Sequence, residues 1–130
     1  MARTNLPISA LAAESSIVDP TATTVDQANG MNVVMTTETI PPTYDAYRGV
    51  FLRVANTAAS PFACIIRAGA YPPAMRAQLG DLSVTVTNAT TRWIGPLDMS
   101  RHAQADDSIN IDFAVGFTGT ITAFAAPRNV

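Results

Sequence analysis

Two short segments alternate apolar and polar residues one for one, and that period of two decides what this chain can fold into. In Leu82-Ser83-Val84-Thr85-Val86-Thr87 the apolar side chains fall on one face of an extended chain and the hydroxyls on the other. Ser108-Ile109-Asn110-Ile111-Asp112-Phe113 repeats the pattern, and a third segment has unlike faces, Val50, Leu52 and Val54 pointing one way while Phe51 and Arg53 point the other. Further strands are read at 32–37, at 62–68 with Phe62, Cys64 and Ile66 on one face, at 91–94 where Gly95-Pro96 ends the run, more weakly at 100–104, and at 120–124. The segment 69–75 is not a regular strand, because Pro72-Pro73 removes two donors from any ladder, and 76–79 is long enough for one helical turn. That makes about seven or eight strands at spacings of roughly 8–12 residues, the pattern of a sandwich or barrel. One polar and one apolar face per strand is the mark of antiparallel sheets with one solvated side. The expected fold is all-β: an antiparallel two-sheet β-sandwich, jelly-roll or other Greek key.

The first thirty residues differ. Leu6, Ile8 and Leu11 alternate loosely, Asp19-Pro20 is turn-like, and Asp26-Gln27-Ala28-Asn29-Gly30 is a strong turn signal. This reads as an extended N-terminal arm over 1–30, with one short strand at 17–18, or else as a disordered terminus; a single β-sandwich domain follows over 31–130.

Composition then bears on function. Only 14% of the 130 residues are charged, against roughly 25% in typical soluble domains, and 48% are apolar. The longest apolar run, Phe62-Ala63-Cys64-Ile65-Ile66, is far short of the ~18 residues of a spanning helix, so no membrane partner is expected. A charge-poor soluble surface implies neighbours that cover part of it. All eight basic residues are arginine, scattered from Arg3 to Arg128, and the net charge is −2; no basic cluster is present to neutralise phosphates, which argues against nucleic acid. The first residues lack the apolar core of a secretory signal, so synthesis in a cytoplasm without export is expected.

Candidate chemistry meets simpler explanations. A thiol nucleophile would pair Cys64 with His102, each the only one of its kind; Cys64 lies mid-strand among apolar residues, where a thiol pKa rises, and a core cysteine with a strand histidine accounts for both. Asp106, Asp107, Ser108, Asn110 and Asp112 suggest calcium, but the sixth and twelfth positions of an EF-hand loop would be Ile111 and Phe117 where glycine and glutamate are needed. A turn followed by the outward face of a strand explains them. Gly116-Phe117-Thr118-Gly119 lacks the lysine of a phosphate loop, and Asn88-Ala89-Thr90 reads as a turn. Trp93, Tyr71, Tyr44 and Tyr47 would suit a sugar-stacking platform, although Trp93 is expected in or beside the core. No catalytic residue, cofactor or metal site is expected.

Several blocks together resemble a known group: Arg53-Val54-Ala55-Asn56-Thr57, Ala68-Gly69 with Pro72-Pro73-Ala74, Gly80-Asp81-Leu82, Trp93-Ile94-Gly95-Pro96, Gln104-Ala105-Asp106 leading into Ile109-Asn110-Ile111-Asp112, and Gly119-Thr120-Ile121-Thr122-Ala123-Phe124. In that order they resemble small structural proteins of tailed bacteriophages, of the kind that decorate or cement the capsid. The resemblance implies a non-enzymatic virion protein on the capsid exterior, made in the bacterial host cytoplasm. It also implies the major capsid protein of the same virus as partner, and self-association, a trimer being favoured. An arm bearing Leu6, Ile8 and Leu11 would then add a strand to a neighbour's sheet edge. A tail or baseplate module, or a carbohydrate-binding sandwich with an exposed aromatic row, are the alternatives.

Overall fold

Ten strands form two five-stranded sheets in the computed structural model, which describes residues 3–10, 16–34, 50–70, 74–97, 99–104 and 108–125. In chain order they are β1 (Thr4–Asn5), β2 (Ile8–Ala10), β3 (Thr23–Thr24), β4 (Met31–Val34), β5 (Val50–Asn56), β6 (Phe62–Ile66), β7 (Leu82–Val86), β8 (Thr90–Leu97), β9 (Ser108–Phe113) and β10 (Gly119–Ala125). The first sheet runs β1-β4-β9-β6-β7; the second runs β2-β10-β5-β8, with β3 also paired to β10. Among β4 to β10 only β6 and β7 are consecutive in one sheet, and every other step crosses to the opposite sheet.

The alternation explains how the sheets pack. Val50, Leu52 and Val54 of β5 and Ile121 and Ala123 of β10 bury their side chains against Met31 and Val33 of β4, Cys64 and Ile66 of β6, and Ile109 and Ile111 of β9, in one continuous core. Each such aliphatic side chain contributes about 1.5–3 kcal/mol by leaving water, so this interlayer holds the domain together without a crosslink. The fold is an all-β sandwich.

Five sequence expectations are corrected. The described part of the arm is not separate: β1 pairs with β4, β2 and β3 pair with β10, and Leu6, 1% exposed, lies in the core between them. Its backbone is satisfied at home, Thr4 N–H donating to the Gly30 carbonyl at 3.0 Å and Leu6 N–H to that of Asn32 at 2.8 Å. Because β1–β4 and β2–β10 are parallel, the sheets are mixed and not purely antiparallel. Residues 17–18 form no strand, and 100–104 holds a single helical turn at Met99–His102. That turn is held by tertiary hydrogen bonds, with Gly69 N–H on the Arg101 carbonyl and Arg101 itself on the carbonyls of Gly80 and Asp81. Finally, β8 does not stop at Gly95-Pro96 but continues to Leu97, the pairing with β5 shifting between Val50 and Leu52. An edge strand with an irregular register tolerates a proline that a central strand would not. The one-turn helix expected near 76–79 is present as a 3-10 turn at Ala77–Leu79.

Candidate functional site

The outer face of the second sheet carries an aromatic and ionic cluster that alternation alone assembles. With Ile94 facing the core, Trp93 must face outward; its partner across the ladder is Arg53, whose partner on the other side is Thr122. Phe51 and Phe124 are paired one step along the same face. The Trp93 ring stacks on Phe124 with centroids 5.2 Å apart and planes inclined by 29°. The Arg53 guanidinium carbon sits 5.9 Å from the Trp93 centroid and 5.4 Å from that of Phe124, within cation–π range of both. Arg53 is fixed at its far end: Nη1 donates to Asp19 Oδ1 at 2.9 Å and Nη2 to Thr122 Oγ1 at 3.4 Å. Phe124 is sealed beneath this group, whereas Trp93 remains 60% exposed and the Asp19 side chain 76% exposed. Val18, beside Asp19 in sequence, is also bare to solvent. Trp93 is therefore not a core residue, contrary to its average tendency: β8 is an edge strand, and its inward positions go to Ile94 and Leu97.

The opposite outer face carries an ion-pair chain. Asp112 of β9 accepts Arg3 Nη1 at 2.6 Å and Arg67 Nε at 2.6 Å, and Arg67 Nη1 reaches Asp81 at 2.9 Å. The Arg3 hydrogen bond, then that of Arg67, holds the Asp112 carboxyl below the usual carboxylate range in spite of partial burial. The Ala68 N–H, then Arg67, does the same for Asp81. Two guanidinium groups occupy the carboxylate that a calcium loop would have used. Asp106 and Asp107 lie outside the described residues, Ser108 is buried, and Asn110 sits opposite Asn32. Among the described residues no group of three or more His, Cys, Asp or Glu side chains is placed to hold a metal ion.

Cys64 faces the core, where burial pushes its thiol up to about 12. His102 is buried, with Nδ1 3.0 Å from the Arg67 carbonyl oxygen; a carbonyl only accepts, so Nδ1 carries the hydrogen. Both side chains are enclosed. A cavity of about 250 Å³ lies between Leu79, Leu82, Pro96, Leu97, Arg101 and His102. Arg101 on its wall directs Nε and Nη2 to the carbonyls of Gly80 and Asp81, at 3.0 and 3.2 Å. Of the arm residues singled out for a partner, Leu6 is inside the core, Ile8 is half-buried against it, and Leu11 lies outside the described residues, as do Tyr44, Tyr47 and Tyr71. The sequence reading missed the part played by Arg53, Phe124 and Asp19. Its available signal was a pair of phenylalanines, Phe51 and Phe124, on the outward phase of strands whose outward neighbours are polar.

No described helix is long and apolar enough to cross a membrane. Comparison with protein-family models, with curated proteins and with solved structures finds no match.

Proposed function

We propose that this chain is a non-enzymatic structural protein of a virion, a decoration or cement protein on the capsid exterior whose partner is the major capsid protein of the same virus. One observation carries the reading: a charge-poor sandwich leaves large apolar side chains bare at separate places, Val18 in the segment before β3, Met75 and Leu79 around the 3-10 turn, and Val115 in the turn before β10. Scattered singly such residues are ordinary; on a chain with only 14% charged residues they mark where neighbours exclude water. The titratable groups support the same reading, since Asp81, Asp112, Arg3 and Arg67 tie the chain together and Cys64 and His102 are enclosed. The capsid and the trimer come from the sequence resemblance. Because Leu6 and Ile8 pack on their own domain, we place the capsid contacts on these exposed side chains and not on those two arm residues.

Many weak contacts repeated over a lattice would stabilise the assembled shell by mass action, each bound copy favouring the assembled state. Purified protein mixed with expanded, undecorated capsids is expected to co-sediment with them and to raise their melting temperature. Absence of both effects would remove the capsid reading, and an electron-microscopic label found on the tail of intact virions would move the protein to a tail or baseplate.

A further inference from the structure

The geometry points to the Trp93 platform as a binding site for a neutral saccharide, a pyranose that lays its face of axial C–H bonds on the indole while its hydroxyls meet Asp19 and Arg53. The inference does not rest on the capsid reading and holds whether or not the chain sits on a particle.

Three features separate this ring from an incidentally exposed apolar side chain. First, it is held in place. Phe124 stacks on one side at 5.2 Å, and the Arg53 guanidinium lies against both rings. A ring already fixed in its bound orientation loses little rotamer freedom when a ligand arrives. Secondly, it is rimmed by planar polar groups of both kinds. Arg53 carries several N–H donors and Asp19 only acceptors, bonded to each other at 2.9 Å, with Thr122 Oγ1 beyond at 3.4 Å. Neighbouring hydroxyls on a sugar ring donate to a carboxylate and accept from a guanidinium at once, so the pair answers a diol as a unit. Thirdly, the surroundings are unlike a protein interface. The exposed neighbours of Trp93 along β8 are Thr91, Arg92, Gly95 and Pro96, so Trp93 is the one large apolar side chain that this strand exposes. A protein partner calls for a contiguous apolar patch. A quaternary ammonium calls for a cage of several aromatic faces, and here Phe124 is sealed, leaving one. An anion would have to displace Asp19 from Arg53. A neutral ligand with one apolar face and a rim of hydroxyls meets none of these objections.

A single stacked ring with a few exposed hydrogen bonds gives weak binding, with a Kd on the order of millimolar. The test is direct because Trp93 is the only tryptophan in the chain, so its fluorescence reports this site alone. Titration of the full chain with maltotetraose, cellotetraose and galactobiose, each to about 20 mM, is expected to give a saturable emission change with at least one of them. The substitution Asp19→Asn keeps the fluorophore and is expected to weaken that response about tenfold, the loss of one charge-assisted hydrogen bond. Trp93→Ala, followed by saturation-transfer NMR of the sugar, is expected to abolish transfer while the melting temperature stays close to that of the parent. A flat titration with all three sugars overturns the proposal. So does an Asp19→Asn variant that responds like the parent, or an equal response to choline or sulfate, which would make the platform a non-selective surface.

Discussion

Asn56 shows how one side chain can join three pieces of backbone. Buried at the end of β5, it donates from Nδ2 to the Ser60 and Val86 carbonyls at 3.0 and 2.9 Å and accepts the Ala58 N–H on Oδ1 at 2.9 Å. It thereby shapes the 57–60 turn and fastens the second sheet to β7 of the first. Asn56→Ala is expected to lower unfolding stability by about 2–3 kcal/mol, because the Val86 carbonyl would be left buried without a donor. Denaturant unfolding measures this as a lower midpoint at unchanged slope; a loss under about 0.5 kcal/mol would mean that water replaces the amide. Next to it, Gly119 has φ of +146°, and a Cβ there would overlap the Ala55 carbonyl, so the β5–β10 ladder needs glycine at that point. At this scale the sequence was legible wherever alternation decided the matter: Cys64, Ile66, Leu52 and Ile111 are inside as their phase required. It was opaque for Trp93 and Arg53, since their contact depends on which strand lies across the ladder, and no local pattern encodes that.

Among the elements, the arm shows the largest difference between reading and structure, and the reason is length. Strands of two or three residues carry no period to detect, and their pairing with β4 and β10 is made by distant partners. What could be read was the turn at 26–30, where Asp26 accepts the Thr4 hydroxyl and the Asn29 N–H, joining both ends of the arm. The arm's charge link gives a pH dependence. Asp112 is held below its ordinary carboxylate value first by Arg3 and then by Arg67, so the folded state binds fewer protons than the unfolded one near a carboxylate pKa of about 4. The stabilisation is therefore full above that pH and disappears as pH falls through the depressed value. Arg3→Gln is expected to cost about 1 kcal/mol near neutral pH and much less at about pH 2, with hydrogen-exchange protection of residues 3–10 dropping first as the parent is acidified. An equal cost at both pH values would assign Arg3 a packing role. Elsewhere β8 and the helical turn at Met99–His102 were misread for opposite reasons. Proline looked like a stop but lies in an irregular edge strand, and the weak segment 100–104 looked extended until the Gly80, Asp81 and Gly69 backbone claimed Arg101.

For the whole molecule, the all-β class followed from the sequence, while the order of strands did not, since nearly every connection changes sheets and alternation says nothing about neighbours. The last described strand, β10, is interior to the second sheet, between β5 and the pair β2 and β3, so that sheet closes only when residues 119–125 are present. Such distant pairings belong to slow-folding topologies. Removing residues 1–10 would strip β1 and β2 from two ladders and empty the place of Leu6, where a leucine-to-alanine change alone costs about 2–5 kcal/mol. The shortened chain is expected to melt well below the parent and to aggregate in light scattering, through the bared flanks of β4 and β10. If it stays dispersed and equally stable, the segment is dispensable to the domain. The same arrangement gives the molecule a handed asymmetry at its rims. Among the described residues, one side of both sheets finishes in stubs of two or three residues, too short to template much, whereas the other side ends in the longer β7 and β8. If copies met rim to rim through the described residues, the long edges β7 and β8 would carry the pairing, and the stubs would offer little for a further copy to continue it.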